Sequence, residues 1–180
     1  YVCLDAVARR LEGLDGMVAR IAGELVVRIR ELTVQANALE REITERTHEL
    51  APTLLQVRGV GALTAAKIVA ETADIRRFRS KDAFARHNGT APLPVWSANR
   101  VRHRLSRTGN RQLNAAIHRI AITQKRCHEP AKAYLERRLA NNDTKTEALR
   151  ALKRKLSDVV YRALVADAAP LVADLRGEAA

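Results

Sequence analysis

Residues 54–68 read Leu54-Leu55-Gln56-Val57-Arg58-Gly59-Val60-Gly61-Ala62-Leu63-Thr64-Ala65-Ala66-Lys67-Ile68, and this stretch sets the organisation of everything around it. Two glycines one residue apart let the backbone turn tightly, and residues 62–71 that follow are rich in strong helix formers. A short apolar turn, a glycine corner and a helix therefore open a helical region. Just upstream, Ala51-Pro52 ends the preceding helix, because the residue before a proline is pushed out of the α region.

Upstream of that boundary, residues 4–50 read as helix with heptad character. Leu4, Val7, Leu11, Leu14, Val18, Ile21 and Leu25 alternate steps of three and four, and Leu25, Ile29, Leu32, Ala36, Leu39 and Ile43 continue with the phase shifted. Gly13, Gly16 and Gly23 each cost about 1 kcal/mol relative to alanine inside a helix, so the helix is firmest from about 25 to 50. So narrow a seam suits one partner helix better than a globular core, which favours a coiled coil between copies over packing back on the same chain.

Downstream, Ser80 caps a short helix through His87, with Asn88-Gly89 as its stop. From Thr90 to Gly109 the helical pattern breaks, and Pro92, Pro94 and Trp96 indicate an irregular basic loop with one or two short extended pieces. Helix resumes near Arg111 and runs to about Arg126; Pro130 opens another to about Ala140. Thr144-Lys145-Thr146-Glu147 has capping-box spacing and starts a last helix to about Asp167, leaving an Ala-rich tail that frays. The expected fold is mainly α: a helical coiled-coil or oligomerisation region at 1–51, a compact helical domain at 52–167 and a tail at 168–180.

Apolar residues make up 47% of the 180, enough for a core, and no stretch approaches the roughly 18 consecutive apolar residues of a membrane span. No secretory signal is visible, and Cys3 and Cys127 lie too far apart to suggest a zinc site or a disulfide framework, so a cytoplasmic protein is expected. Charge is segregated. Between residues 76 and 126, thirteen Lys or Arg stand against the single acid Asp82, whereas the rest of the chain balances, so the net +12 lies in about fifty residues. A polyanionic partner explains such crowding.

The segment around Gly59 and Gly61 resembles a helix-hairpin-helix DNA-binding motif spanning 54–71. The unpaired amides opening its second helix, with the positive end of the helix dipole, suit one backbone phosphate independently of sequence, and Arg58 and Lys67 add charge. A tight structural corner uses glycine in the same way. In the basic loop, Ser97 and Ser106 lie amid Arg100, Arg102, His103, Arg104 and Arg107, followed by Arg111. A serine that attacks a phosphodiester needs cations to stabilise the charge on phosphorus and a group to accept its proton, and the loop supplies both types. From spacing alone Ser97 equally reads as an ordinary loop serine.

The blocks Gly59-Val60-Gly61, then Phe84-Ala85-Arg86-His87-Asn88-Gly89-Thr90-Ala91-Pro92, then residues 102–121 beginning Arg102-His103-Arg104-Leu105, resemble the C-terminal transposase domain of the insertion sequence 110 family (the 110/116/902 group, relatives of the Piv invertase). The similarity continues through Tyr134-Leu135-Glu136-Arg137-Arg138 and Ala151-Leu152-Lys153-Arg154-Lys155-Leu156. This resemblance implies a recombinase with an N-terminal RuvC-like domain of Asp/Glu/Asp/Asp metal ligands, a coiled-coil region, and DNA exchange guided by a bridge RNA. It also implies a serine nucleophile at Ser97, although Ala98 stands where the family usually has Gly. Asp5, Asp15 and Asp74 are scattered and assemble no such acidic cluster, so Mg2+ is expected in a domain outside this chain. A chain opening without Met reads as a fragment, expected not to transpose DNA alone. Two other readings stay open: a non-catalytic helix-hairpin-helix nucleic-acid-binding module or inactive transposase remnant, and a coiled-coil oligomerisation piece with an incidental basic loop.

Overall fold

A computed structural model describes the backbone of residues 2–97, 100–104 and 108–177, and the side chains of residues 3–93 and 108–169. The chain forms two compact units, residues 1–43 and 44–180.

In the first unit, α1 (Val2–Leu11) is followed by the start of α2 (Met17–Leu50). The helix expected to run from residue 4 is thus broken, because Gly13 and Gly16 take φ of +86° and +105°, which other residues rarely adopt. Beyond the break α2 begins at Met17 and accommodates Gly23, well ahead of the expected firm start near 25. Arg30 Nη2 donates to Asp5 Oδ1 at 2.5 Å, tying α1 to α2. The seam positions Val18, Ile21, Leu25, Ile29, Leu32, Leu39 and Ile43 are all exposed.

The second unit is built on helices: α3 (Pro52–Leu55), α4 (Ala62–Thr72), a 3-10 turn (Ile75–Arg77), α5 (Lys81–His87), α6 (Arg111–Cys127), α7 (Glu129–Ala140) and α8 (Lys145–Gly177). The caps read from sequence form: Ser80 Oγ accepts from Ala83 N, and the Thr144 and Glu147 side chains accept each other's backbone amides. The structure adds a third at Asn110, whose Oδ1 accepts from Leu113 N. The last helix, expected to end near Asp167, continues to Gly177, through Pro170.

Helix α8 packs against α3, α5, α6, α7 and the 3-10 turn, and α4 packs on α6. Leu54, Ile68, Phe84, Leu113, Ile117, Ile120 and Val160 are fully buried between them. Each contributes roughly 1.5–3 kcal/mol by leaving water. Phe84 meets Phe78 edge-to-face at 5.3 Å and Tyr161 at 5.9 Å, joining α5 to α8. The buried Asp167 carboxylate accepts from the amides of Thr53 (2.7 Å) and Leu54 (3.0 Å), so α8 caps α3, whose first position is Pro52.

The segment expected as an irregular loop with one or two short extended pieces holds two such pieces, and they pair as a β-hairpin. Strands β1 (Leu93–Ser97) and β2 (Arg100–Arg104) pair antiparallel, with Leu93 opposite Arg104, Val95 opposite Arg102 and Ser97 opposite Arg100. Backbone pairing across the segment satisfies groups that a loop would leave to water, and prolines 92 and 94 do not prevent it at the start of a two-stranded ribbon.

Candidate nucleic-acid interface

The hairpin leaves the helical body through a clamped base. Helix α5 stops at Asn88-Gly89, with Gly89 at φ +71°. The amides of Thr90 and Ala91 both bond to Ala85 O, at 2.9 and 3.0 Å, and Asn110 N bonds to His87 O at 2.6 Å. Outgoing and returning chains touch at Gly109, where an added Cβ would lie 2.4 Å from Gly89 N. Backbone meets backbone there, and only glycine fits.

A buried polar network holds this junction. Asn88 is fully buried; its Nδ2 donates to Ser157 Oγ (2.8 Å) and its Oδ1 accepts from Thr90 N (3.0 Å) and Thr90 Oγ1 (2.6 Å). Asn114 Nδ2 donates to Asn88 O at 2.7 Å, and Asn114 Oδ1 accepts from Lys153 Nζ at 2.6 Å. Asn110 Nδ2 donates to Glu71 Oε2 at 2.7 Å, so α4, α6 and α8 all grip the base. Burial first, then the Arg150 charge, holds the Lys153 ammonium below the usual lysine range. His87 is neutral: Arg77 Nη2 can only donate, so His87 Nε2, 3.1 Å away, accepts. Burial, then Arg77, lowers the pKa of His87, and burial, then Lys153, lowers that of His118.

The structure separates two groups of site residues expected from sequence. Gly59 takes φ +86° and lies against α6, its missing Cβ 3.3 Å from Thr123 Cβ, while Gln124 Nε2 donates to Arg58 O at 2.7 Å. Gly61 starts α4 without a side-chain cap; the first helical bond is Ala65 N to Gly61 O, and the amides ahead of it have no acceptor within the helix. Arg58 is exposed and Lys67 half-buried. The first helix of this pair is a single turn. Because Gly59 meets α6 near residues 120–124 whereas the hairpin base lies at residue 110, the two regions are about 15–20 Å apart along α6.

Ser97 ends β1, with Arg100 as its Cα partner; His103 pairs with Pro94, about 10 Å back along the ribbon. Arg102 and Arg104 lie further down β2, and Arg111, exposed, opens α6. Ala98, Ser106 and Arg107 lie outside the described residues.

Ion pairing divides the cations. Arg76 is bound by Asp74, Arg77 by His87 and the Phe78 ring, and Lys81 and Arg154 by Asp158. Among the described residues no ion pair engages Arg58, Lys67, Arg79, Arg86, Arg111, Arg119, Lys125 or Arg126. The acids between them are occupied: Glu71 by Asn110, Asp74 by Arg76, and Asp82 by Arg154. Arg79 and Arg86 were visible only as part of the charge run, and the network of Asn88, Asn114, Lys153 and Ser157 gave no local signal, since its members are up to 69 residues apart. Among the described residues no three His, Cys, Asp or Glu side chains form a cluster able to hold a metal ion. No described helix is long and apolar enough to cross a membrane.

Comparison with known proteins identifies a transposase domain: the model described as "Transposase IS116/IS110/IS902 family" matches residues 51–136. Residues 51–136 are thus similar to the IS116/IS110/IS902 transposase family. The chain is 30% identical over 154 residues to the insertion element IS110 uncharacterized 43.6 kDa protein of Streptomyces coelicolor, covering 84% of this chain and 37% of that protein. It is 28% identical over 151 residues to the insertion element IS900 uncharacterized 42 kDa protein of Mycobacterium paratuberculosis (82% and 37%). The insertion element IS116 uncharacterized 44.8 kDa protein of Streptomyces clavuligerus is 30% identical over 129 residues (69% and 32%). The chain thus spans about a third of the length of these relatives.

Two outcomes follow from the clamp. Gly109→Ala should destabilise the second unit by about 1–3 kcal/mol, since backbone must shift to admit a methyl group, and urea denaturation measures it. Folded His87 and His118 take up protons at lower pH than the unfolded chain, whose histidines titrate near pH 6.5. Their contribution is full above about pH 6.5 and declines as pH falls below it. Denaturation midpoints should therefore fall from pH 7.5 to 5.5, and less so in His87→Gln.

Proposed function

We propose that this chain is the portion of an insertion-element transposase that holds DNA backbone and presents Ser97 as the nucleophile of a composite active site. Eight exposed or half-buried cations between residues 58 and 126 that engage no ion pair among the described residues carry this proposal, because solvation alone gives no reason to leave every acid of that stretch engaged and these charges free. The amides at Gly61, with Arg58 and Lys67, suit one phosphate in the manner of a helix-hairpin-helix loop. The hairpin, with Arg100, Arg102, His103, Arg104 and Arg107, and the start of α6 with Arg111, suit others. Their spacing of about 15–20 Å corresponds to about four to six base pairs of duplex, so one DNA segment can span both.

In the chemical step Ser97 Oγ bonds to phosphorus as the bond from phosphorus to a sugar oxygen breaks. The serine's proton is carried by a base to the departing sugar oxygen. Arg100, the Cα partner of Ser97, is the nearest candidate on the ribbon to offset charge developing on phosphorus, whereas His103 starts too far along the backbone to be assigned as that base. Mg2+ belongs to acidic ligands in a domain outside this chain, and no step here runs through it.

A bridge RNA and a second copy of the chain are further partners, the second copy meeting the exposed seam of α2. The protein acts in the bacterial cytoplasm, at the nucleoid.

Duplex binding should weaken linearly on a log–log plot against salt, with a slope of about 0.9 per phosphate contacted. In the full-length protein, Ser97→Ala should lower strand cleavage about a thousandfold or more with little change in DNA affinity; unchanged recombination would remove Ser97 from the mechanism. Light scattering of the 180-residue chain should show an oligomer, and the pair Leu25→Glu and Leu32→Glu should convert it to monomer; a wild-type monomer would overturn the seam as an interface.

A further inference from the structure

At the foot of the hairpin lies an open cleft of about 540 Å³ between α5, α8 and the start of the outgoing strand. Its walls include Arg79, Asp82, Arg86, Ala91, Pro92 and Arg154. The three guanidinium groups differ in state. Arg154 is mostly covered and bridges Asp82 and Asp158, which fixes its position. Arg79 and Arg86 are exposed and engage no ion pair among the described residues. Three cations against one acid leave the lining at a formal +2.

We propose that this cleft is a second DNA phosphate site, separate from the Gly61 amides and from the residues of the ribbon. It rests on the DNA-binding proposal above and extends it. The chemistry favours phosphodiester over a free nucleotide: among the described residues no aromatic side chain lines the cleft to stack a base, and its chief donors are guanidinium groups suited to paired phosphate oxygens. Contact of this kind is blind to base sequence. Its location supplies the reason. Ala91 and Pro92 lead directly into β1, and Ser97 lies five residues beyond Pro92, about 17 Å of extended strand. That distance equals about five base pairs, so a phosphate held by Arg79 and Arg86 fixes the duplex at one end of the ribbon while another reaches the Ser97 end. The clamp at Gly89 and Gly109 keeps the cleft and the hairpin base in one frame.

The test uses the 180-residue chain, a 30-base-pair DNA duplex and fluorescence anisotropy across a salt series. Arg79→Ala with Arg86→Ala should weaken binding at least tenfold at low salt and reduce the slope of log K against log salt by roughly two. Arg137→Ala with Lys145→Ala removes the same charge from exposed positions elsewhere and should leave both nearly unchanged. Circular dichroism checks that both double variants keep the wild-type helix content, and Arg86→Glu, a single exposed change, repeats the measurement. Equal losses in the two double variants would reduce the effect to net charge and overturn the site. Wild-type binding with no loss in Arg79→Ala/Arg86→Ala would overturn the site and leave the broader DNA-binding proposal standing; no wild-type binding would overturn both. Loss confined to an RNA duplex of the same length would overturn the assignment to DNA.

Discussion

The meeting of two backbones at Gly89 and Gly109 is the constraint on which the second unit depends. Residues 89–91 leave the helical body and residues 108–110 return to it, so close that a single added carbon would sit 2.4 Å from a peptide nitrogen. Such an approach needs its polar groups satisfied, because water has no room there. Asn88 answers that demand, bonding Ser157 and Thr90 through its side chain and Asn114 through its carbonyl. Three helices distant in sequence thus converge on one junction, and the ribbon that carries Ser97 is anchored in the core.

This anchoring changes what the basic segment can do. Cations on a loose loop would adapt to any polyanion, at an entropic cost for each side chain ordered. Here the ribbon and the start of α6 share one rigid base, and the Gly59 corner is held at the far end of the same helix by Gln124. The proposed phosphate sites, held at fixed spacing, would suit a stiff, regularly charged partner such as duplex DNA. The arginines used internally serve that rigidity: Arg77 adds to burial in disfavouring the charged form of His87, and Arg154 draws Asp82 and Asp158 together.

The first unit follows a different physical logic. A narrow stripe of Val, Ile and Leu along α2 stays exposed, whereas the second unit buries nearly every large aliphatic residue on its inner faces. Exposed apolar seams of this length on a helix ask for a matching helix.

Much of this protein was legible from sequence because the governing interactions are local. Caps at Ser80 and Thr144 act within four residues, Pro52 ends a helix by a clash with its neighbour, and the net +12 can be counted along the chain. The family blocks and the mainly helical class were equally visible. The ribbon was not, since Pro92 and Pro94 obscure strand periodicity and pairing is a contact between separate segments. Nor could the sequence show that Gly109 is demanded by Gly89, that Lys153 is buried beneath Asn114, or that the Gly59 corner and the hairpin occupy opposite ends of α6. Those depend on which surfaces meet through space, and only the packing of α4, α6 and α8 around a shared core decides that.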